Sequence, residues 1–487
     1  MPSVDQDVFS PATRGAAALG NTLRIATPEI DSGPRTDVPT IPSVARPLHV
    51  LFLSHYFPPE VNAPATRTYE HCRRWVAAGH RVTVITCAPN CPTGVVASGY
   101  KNTWLSREWV DGIRVLRVWT WLAPNKGFLG RIANYLSYMV CATLCALGVR
   151  KVDAIVATSP QFFCGWAGVL CRWFLRRPLL LEIRDIWPES IVTVGAMRRS
   201  PMMRVLEILE QRMYKTAKQI VTVGDGYRDQ LMRRGVAEEK IAVVPNGVDA
   251  SQFVPQPASR ELRAQWGGAG RFVCAYVGTV GMAHGLDVVV RAARQLKAAG
   301  RDDIVFWIVG DGAERSRLEA ECRAEGLDRV VFTSLVPKAQ IAEVIASCDA
   351  CLVHLRKTEL FETVIPSKIF EIMAMNVPIV MGVRGQAQRI VLAAQAGLAM
   401  TPEDEDSLLA GIETIAGNRS AYCRGRDYVA RHFDRDVLAQ RLLDEIVAMV
   451  APTLATIPFP APAIAEPARL PVSETGREAA SDRRAAA

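Results

Sequence analysis

Short apolar runs alternate with longer amphipathic stretches along most of the chain. An apolar run such as His49–Leu53 is typical of a strand buried on both faces. Apolar residues at every third or fourth position, as in 65–78, predict a helix instead. Alternating strands and helices predict parallel sheets with helices on both faces.

The alternation forms two series, separated by the turn residues Pro245–Asp249 and a polar linker. Trp109–Arg114 adds a hairpin with an Asp-Gly turn to the first series. The first series predicts strands at His49–Leu53, Arg81–Thr86, near Ala154, Leu179–Ile183, Ile220–Val223 and Ile241–Val244. The second predicts strands at Phe272–Val277, Ile304–Val309, Val330–Thr333, Ala350–Val353 and Ile379–Met381. It also predicts helices at Leu286–Ala299, Glu314–Glu325, Lys338–Ser347 and Lys368–Met375.

Two such series predict an α/β protein with two doubly wound, Rossmann-like domains facing a central cleft. We place the domains at 47–250 and 251–450. Residues 1–46 are polar, with no apolar core of a signal peptide, and residues 451–487 are rich in Ala and Pro. Both ends are expected to be disordered.

Positive charge is concentrated in one part of this chain, whose net charge is +8. Residues 171–218 hold ten Lys and Arg against five Asp and Glu. Such a patch could bind anionic lipid or a phosphorylated acceptor, or it could be an ordinary solvated face. A series of aromatic stacking platforms along this patch is not evident, so nucleic acid is not expected as a partner.

Residues 132–149 carry no charge and are nearly long enough to span a bilayer. Three interpretations remain open: a core helix, a helix docked at a membrane interface, or a span. The strand predicted near Ala154 argues against a span, because it is expected in the same sheet as His49–Leu53. The twelve cysteines lack zinc-site spacing and are expected to be reduced thiols of a cytosolic protein, with no metal site.

The segment Pro366–Glu371 carries the strongest chemical signal. Ser367 is a favourable N-cap for the helix that follows, and Lys368 and Glu371 share one helix face. Free N–H groups with a lysine suit a diphosphate, and a carboxylate can accept hydrogen bonds from a diol. These are the groups of a nucleotide sugar. The alternative is an ordinary buried helix with a solvated ion pair.

Five segments together resemble the retaining glycosyltransferases of family 4, which have the GT-B fold. They resemble most the branch that adds N-acetyl-fucosamine or a related sugar in bacterial O-antigen or capsule synthesis. The match covers roughly 47–450. The five segments are His55–Glu60, Leu181–Ser190, Val243–Asp249, Val309–Gly312 and Val364–Glu371.

The resemblance implies a role for each matching position. The second domain would bind a nucleotide-sugar donor, with UDP as the expected nucleotide. Glu371 matches the second glutamate of the family's paired motif and would bind the ribose diol. The implied catalytic residues are Asp185, Lys368 and Glu371. The implied donor-binding residues are Gly281, His284, Gly310, Asp311, Gly312, Arg356, Ser367, Lys368 and Glu371. The implied acceptor-binding residues are Pro59, Glu60, Arg184 and Asp185.

The sequence departs from the family's pattern at two places. The first glutamate of the pair falls at Thr363, and Glu362 lies one position away. The family's Arg and Lys after the first strand of the second domain are absent, and only His284 is present in 278–285. Arg356 or Lys357 could supply the missing charge.

The resemblance further implies sugar transfer with retention and without a metal or cofactor. The expected acceptor is a polyprenyl-diphosphate-linked saccharide at the inner face of the membrane, to which the protein would bind peripherally. Two alternatives remain: a sugar-nucleotide epimerase with the same fold, and an inactive scaffold at the membrane. A dinucleotide dehydrogenase is not expected, because the first strand is followed by Ser54–Glu60, without GxGxxG.

Overall fold

The computed structural model describes residues 46–60, 62–91, 93–122, 128–159, 162–186, 201–333 and 336–451. Apart from Arg46 and Ala451, the two ends expected to be disordered lie outside these ranges. Trp187–Ser190, which belong to one of the five resembling segments, also lie outside them.

Within the described ranges, the first sheet has eight strands in the order β3-β4-β2-β1-β5-β6-β7-β8. All neighbours are parallel except β3 and β4, an antiparallel hairpin at one edge. Asp111 and Gly112 form its turn with φ of 47° and 75°, as the predicted hairpin requires. The strands are β1 His49–Leu53, β2 Arg81–Cys87, β3 Leu105–Val110, β4 Ile113–Val118, β5 Ala154–Thr158, β6 Leu179–Ile183, β7 Gln219–Thr222 and β8 Ile241–Val243.

The second sheet, as far as the structure describes it, has six parallel strands in the order β11-β10-β9-β12-β13-β14. The predicted strands of this series are all present, and β14 is additional. Its three residues include a glycine and form no apolar run, so the pattern did not reveal it. The strands are β9 Phe272–Val277, β10 Ile304–Val309, β11 Val330–Thr333, β12 Ala350–His354, β13 Ile379–Gly382 and β14 Gly397–Ala399.

Helices cover both faces of each sheet, which confirms the two doubly wound domains. In the first series they are α1 Ala63–Ala77, α2 Phe128–Leu147, α3 Phe162–Leu175, α4 Pro201–Thr216 and α5 Asp225–Arg233. In the second they are α6 Arg260–Gln265, α7 Asp287–Ala298, α8 Arg315–Ala324, α9 Ile341–Ala346, α10 Glu359–Glu362, α11 Lys368–Ala374, α12 Gln386–Ala393, α13 Glu405–Gly417, α14 Gly425–His432 and α15 Arg435–Val450. Short 3-10 helices occupy Glu238–Lys240, Met282–His284, Lys338–Gln340 and Arg419–Tyr422.

Successive residues of β1 point into two different hydrophobic cores. Leu51 and Leu53 pack with side chains of α2, α3 and α4, whereas Val50 and Phe52 face α1. This period of two places an apolar residue at every position of a strand that is covered on both sides. The twelve cysteines, many of them in these cores, are all free thiols.

The last helix, α15, returns to the first sheet. Leu438, Leu442 and Ile446 lie in the same core as Val50, and Trp75 Nε1 donates to the carbonyl oxygen of Ala439 at 2.9 Å. The predicted division at 250 had placed α15 in the second domain. Its amphipathic pattern predicts a helix but does not indicate which sheet the apolar face covers.

The chain therefore crosses between the domains twice, and the two crossings run side by side. The backbone N–H of Val248 donates to the carbonyl oxygen of Phe433 at 3.0 Å, and that of Arg435 donates to the carbonyl oxygen of Val248 at 3.0 Å. Val248 and Asp434 form an isolated parallel bridge. The domains are thus joined at a single paired crossing.

The uncharged segment 132–149 forms most of α2, and its two faces differ. Tyr138, Ala142 and Ala146 are buried in the first core, whereas four apolar side chains are exposed. These four are Leu136, Val140, Leu144 and Leu147. β5 pairs with β1 in one sheet, as expected from the sequence. Within the described ranges, no helix combines the length and the apolar character needed to cross a membrane.

Candidate active site

The loops at the carboxyl ends of β9 and β10 pack backbone to backbone. Gly278 and Gly310 follow these strands, both with φ of 141°. A Cβ atom on Gly310 would lie 2.0 Å from the carbonyl oxygen of Gly278, and one on Gly312 would lie 2.2 Å from that of Val280. No side chain fits at either position. Gly310 and Gly312 are therefore required for the packing of these two loops. This packing accounts for both glycines without the predicted close approach of a nucleotide.

Two other predicted donor residues lie in the same loops. Asp311 accepts a hydrogen bond from the next backbone N–H, of Gly312, at 2.8 Å, as a turn-forming residue does. Gly281 donates its N–H to His284 Nδ1 at 3.3 Å. A Cβ on Gly281 would meet the His284 ring only at 3.5 Å, so the backbone packing does not require glycine there.

The Lys368 ammonium is buried beside Gly278, and no described residue accepts a hydrogen bond from it. Nζ lies 3.9 Å from the centroid of the Tyr276 ring. A Cβ on Gly278 would lie 2.6 Å from Nζ, so the absence of a side chain makes room for the ammonium. Burial lowers the pKa of Lys368 to about 8. A contact with an aromatic ring offsets part of the cost of this buried charge, and an anionic ligand would offset more.

Ser367 does not cap α11, so this prediction was wrong. Its backbone is itself helical, with φ of −58° and ψ of −24°, and its side chain makes no capping hydrogen bond. An N-cap side chain reaches the first-turn N–H groups only from an extended backbone. The N–H groups of Ile369 and Phe370 instead donate to the carbonyl oxygens of Pro366 and Ser367. Ser367 is exposed and free to meet a ligand.

Glu371 lies one turn after Lys368 and lines a cavity of about 180 Å³ between the two domains. Across the cavity stand Arg67 and His71 of α1, with Lys338 and Arg435 beside Glu371. Burial raises the pKa of Glu371, and the charges of Arg435, Lys338 and Lys368 oppose this shift. No described residue donates a hydrogen bond to its carboxylate.

His284 is close enough to Lys368 for their charges to interact. Burial first, and then the Lys368 charge, lower the pKa of His284 to about 4, so the imidazole is neutral at pH 7. Because Nδ1 accepts from Gly281, the proton is on Nε2, which can donate to a ligand.

Arg356 is less suited to its predicted donor role. Its Nη1 lies 3.1 Å from a carboxylate oxygen of Glu403, and its Nη2 lies 3.4 Å from one of Asp287. Its Nε donates to the carbonyl oxygen of Met282 at 2.6 Å. Two carboxylates already share its charge, so Arg356 ties together three segments of the second domain.

On the first domain, Glu60 holds a loop. Its carboxylate accepts hydrogen bonds from the backbone N–H groups of Asn90 and Cys91, both at 2.9 Å. Pro59 follows Pro58, whose carbonyl oxygen accepts from the buried side chain of Arg117. These contacts give Glu60 and its loop a structural role beside the predicted acceptor role.

Arg184 and Asp185 follow β6, at the edge of the first sheet that faces the cleft. Ser159 Oγ accepts from the backbone N–H of Arg184 at 3.2 Å and donates to the carbonyl oxygen of Asp185 at 3.3 Å. Arg184 Nη1 is buried and has no hydrogen-bond partner among the described residues, and burial lowers the pKa of its guanidinium to about 10. The structure thus gives this domain its own buried cation with a nitrogen available to a ligand.

Arg67 and His71 of α1 also face the cavity, although neither was predicted as a site residue. Arg67 forms a buried ion pair with Glu182 at 2.8 Å. Neither ring nitrogen of the buried His71 has a hydrogen-bond partner in the described part of the chain, and burial lowers the pKa of His71 well below the usual value. The spacing of four residues between them marks one polar helix face and could have revealed them. Among the described residues, no three His, Cys, Asp or Glu side chains are grouped to hold a metal ion.

Comparison with protein families and solved structures agrees with this geometry. Residues 62–247 match the model of the Glycosyl transferase 4-like domain, and residues 271–418 match that of Glycosyl transferases group 1. The structure of Anabaena Alr3699/HepE in complex with UDP superposes with a TM-score of 0.60. The superposition covers 82% of this chain and 99% of the HepE chain, at 18% sequence identity, which supports a shared fold. The chain is a GT-B glycosyltransferase.

Two curated relatives align with this glycosyltransferase over most of its length. One is WcaI of Escherichia coli (strain K12), a glycosyl transferase assigned to colanic acid biosynthesis. It is 23% identical, and the alignment covers 82% of this chain and 100% of the length of WcaI. The other is the GDP-mannose-dependent alpha-mannosyltransferase of Mycolicibacterium smegmatis. It is 29% identical, and the alignment covers 77% of this chain and 90% of the length of that enzyme.

The position of the missing first glutamate faces the other domain of this glycosyltransferase. A Cβ on Gly226, in α5, would lie 2.9 Å from Cβ of Thr363. Glu362 is exposed, and its carbonyl oxygen would lie 2.0 Å from a Cβ on Gly385. Segment 362–365 therefore packs closely on both sides.

Proposed function

We propose that this glycosyltransferase moves a hexosamine-type sugar from a nucleoside-diphosphate donor, with UDP as the first candidate, to a lipid-linked saccharide, with retention. The reaction would serve the synthesis of a surface polysaccharide, in the branch that transfers N-acetyl-fucosamine or a related sugar. The observation that carries the proposal is the buried ammonium of Lys368 beside Gly278, which has no hydrogen-bond partner among the described residues. The relative assigned to colanic acid biosynthesis supports a surface polysaccharide as the product class.

Lys368 would bind the diphosphate of the donor. As the bond from the sugar C1 to the diphosphate oxygen breaks, negative charge grows on the leaving group. A buried ammonium with its N–H bonds unused stabilises that charge without first losing other partners. His284 Nε2 would donate to the same phosphate or to the sugar.

Glu371 would accept hydrogen bonds from the ribose hydroxyls. Its carboxylate lines the cavity, makes no hydrogen bond with any described residue, and lies one turn from Lys368. Ribose and diphosphate are adjacent in a nucleoside diphosphate, so two side chains on one helix face can bind both. HepE, which shares the fold, was solved with UDP, which supports UDP as the first candidate.

Arg184 and Asp185 would position the acceptor on the opposite side of the cleft. The transfer would follow a front-face route, in which the acceptor oxygen attacks C1 on the face that the diphosphate leaves. The acceptor proton passes to the leaving phosphate oxygen, so the charges balance without a further base. The anomeric configuration of the product, read by NMR coupling constants, tests this route, and an inverted product would overturn it. We expect activity to persist in EDTA.

A lipid-linked acceptor requires the enzyme to work at a membrane surface, and the exposed face of α2 suits one. Leu144 is 64% exposed, and near the end of α3, which packs on α2, Trp173 and Phe174 are also exposed. Arg172 and Arg176 accompany these two aromatic residues. Apolar side chains beside basic ones are typical of binding to anionic lipid at the inner face of the membrane.

Flotation with vesicles containing anionic lipid tests the membrane contact. We expect the wild-type protein to float and Leu144→Glu to float much less, because a charge would enter the apolar layer. Wild-type protein that stays unbound would overturn the membrane contact and leave the donor site untouched.

The first experiment is a donor panel. Purified protein is incubated with membrane extract and UDP-, GDP- or dTDP-sugars, and nucleoside diphosphate release is compared with a Glu371→Ala control. Release with one donor, dependent on lipid and lost in the control, would support the proposal and name the donor. Donor conversion without acceptor would identify an epimerase instead. Nucleotide binding without turnover would favour the inactive scaffold.

A further inference from the structure

The two domains exchange hydrogen bonds at the starts of α5 and α12. The backbone N–H of Asp225 donates to Gln386 Oε1 at 2.8 Å, and Gln386 Nε2 donates to an Asp225 carboxylate oxygen at 2.6 Å. A carboxylate only accepts and an N–H only donates, so both ends of the amide are matched to their partners. Asp225 belongs to the first domain and Gln386 to the second.

Two glycines allow the start of α5 to lie directly on the second domain. A Cβ on Gly226 would lie 2.9 Å from Cβ of Thr363. A Cβ on Gly224 would lie 3.1 Å from Gln386 Oε1 and 3.3 Å from Cδ1 of Ile365. Larger residues at these positions would push α5 away from both partners.

This contact reaches the donor site through the chain itself. Segment 363–367, on which α5 rests, runs directly into α11, whose first residue is Lys368. Gly385, just before Gln386, has φ of 82° and packs against the carbonyl oxygen of Glu362. The residues that meet α5 are therefore linked both to each other and to the buried ammonium.

We infer that Asp225 and Gln386 are a positioning pair for glycosyl transfer. They hold the two domains closed over the cavity and set segment 363–367, and with it Lys368, for the reaction. The covalent crossings join the domains at one place, Val248 and Asp434, so contacts elsewhere must fix the angle between the domains. The inference concerns the closed form and does not depend on which donor is used.

The test replaces Gln386 with its isosteric acid. Gln386→Glu places a second carboxylate against Asp225 while keeping the shape of the side chain. Adding Asp225→Asn restores a donor opposite the new carboxylate, so the pair is complementary again with reversed polarity. Gln295→Glu is the matched control, because Gln295 Nε2 donates to Asp406 at 2.9 Å within the second domain.

Small-angle scattering of the full chain measures closure, and hydrogen exchange reports on peptides covering 363–374. We expect Gln386→Glu to expand the protein and speed this exchange. With the donor found by the panel, kcat should fall roughly tenfold, with KM for the donor changed less than about twofold. The double variant should return to within about twofold of wild type, and Gln295→Glu should match wild type.

Unchanged scattering and exchange in Gln386→Glu would overturn the inference, as would a double variant no better than the single one. Equal losses in Gln386→Glu and Gln295→Glu would also overturn it, because they would show a general effect of added charge. Scattering and exchange need no donor, so a failure of the proposed donor specificity would leave this test intact.

Discussion

Two buried cations, one from each domain, lie near the interdomain cleft with opposite surroundings. Arg67 of the first domain donates to Glu182 and to the carbonyl oxygens of Val244 and Pro245, all within 2.8 Å. Lys368 of the second domain makes no hydrogen bond with any described residue and rests on an aromatic ring. Both are expensive to bury, but the fold compensates only one of them.

We propose that this difference separates a structural charge from a functional one. Arg67 ties α1 to β6 and to the residues just before the first crossing, so its contacts serve the folded chain. Lys368 keeps its donors unused, at the cost of stability, and that arrangement is useful only if a ligand completes it. Removing Arg67 should therefore lower stability, whereas removing Lys368 should lower activity.

Replacing Arg67 should give the largest loss of stability. Arg67→Met leaves the Glu182 carboxylate, 1% exposed, as an unpaired buried charge, and the free energy of unfolding should fall by about 3–5 kcal/mol. Urea denaturation measures it. Arg73→Met, on the same helix but 35% exposed, is the control and should cost less than about 1 kcal/mol. Equal losses in the two variants would contradict a structural role specific to Arg67.

Replacing Lys368 should affect catalysis and spare stability. We expect Lys368→Met to lower kcat/KM by roughly 100- to 1,000-fold, because the charge of the leaving diphosphate loses its partner. The free energy of unfolding should stay the same or rise, since an uncompensated buried charge is removed. Lys297→Met, which removes an exposed cation on α7 of the same domain, is the control for kinetics. Loss of stability together with activity would show that Lys368 is a structural cation like Arg67.

The pH dependence of nucleotide binding should sharpen the contrast. The pKa of Lys368 is lowered to about 8, so the free enzyme loses the binding charge as the pH rises through this value. The Kd for UDP, measured by calorimetry, should rise about tenfold per pH unit above pH 8 and change little below it. Lys368→Met should bind weakly with a flat profile. A steep profile in that variant would assign the titration to another group.

The smallest effect is expected at Arg356. Its partners Asp287 and Glu403 are about one-third exposed, so Arg356→Met should lower the free energy of unfolding by no more than about 1 kcal/mol. The Kd for UDP should stay within about twofold. A large loss of nucleotide affinity would instead support the donor role that the family resemblance implied for this arginine.

Most of the fold was predictable because parallel strands covered on both faces are continuous apolar runs. Phe272–Val277 and Ile304–Val309 are strands with the predicted bounds. Lys368 was predicted as the cation of the donor site because its chemistry and its place near Glu371 are both visible in the sequence, and the structure places its ammonium in a buried position beside Gly278. The resemblance of five segments predicted a glycosyltransferase, and the matches to two glycosyltransferase family models agree with that prediction.

The rest depends on contacts between residues far apart in the chain. Arg356 seemed free because Asp287 and Glu403 are distant in sequence. Ser367 has the residue type of an N-cap but not the backbone angles, which adjacent packing determines. Likewise, the spacing in α1 does not reveal that Arg67 is neutralised by Glu182.

The return of α15 to the first sheet has a consequence for protein engineering. A fragment ending near residue 250 would leave Val50, Phe52 and Trp75 without the helix that covers them, and we expect it to aggregate. Chimeras that exchange the second domain should therefore replace an internal segment, from the first crossing near Val248 to the second near Asp434. The first domain of this enzyme is discontinuous in sequence, so its two segments must be kept together in any chimera.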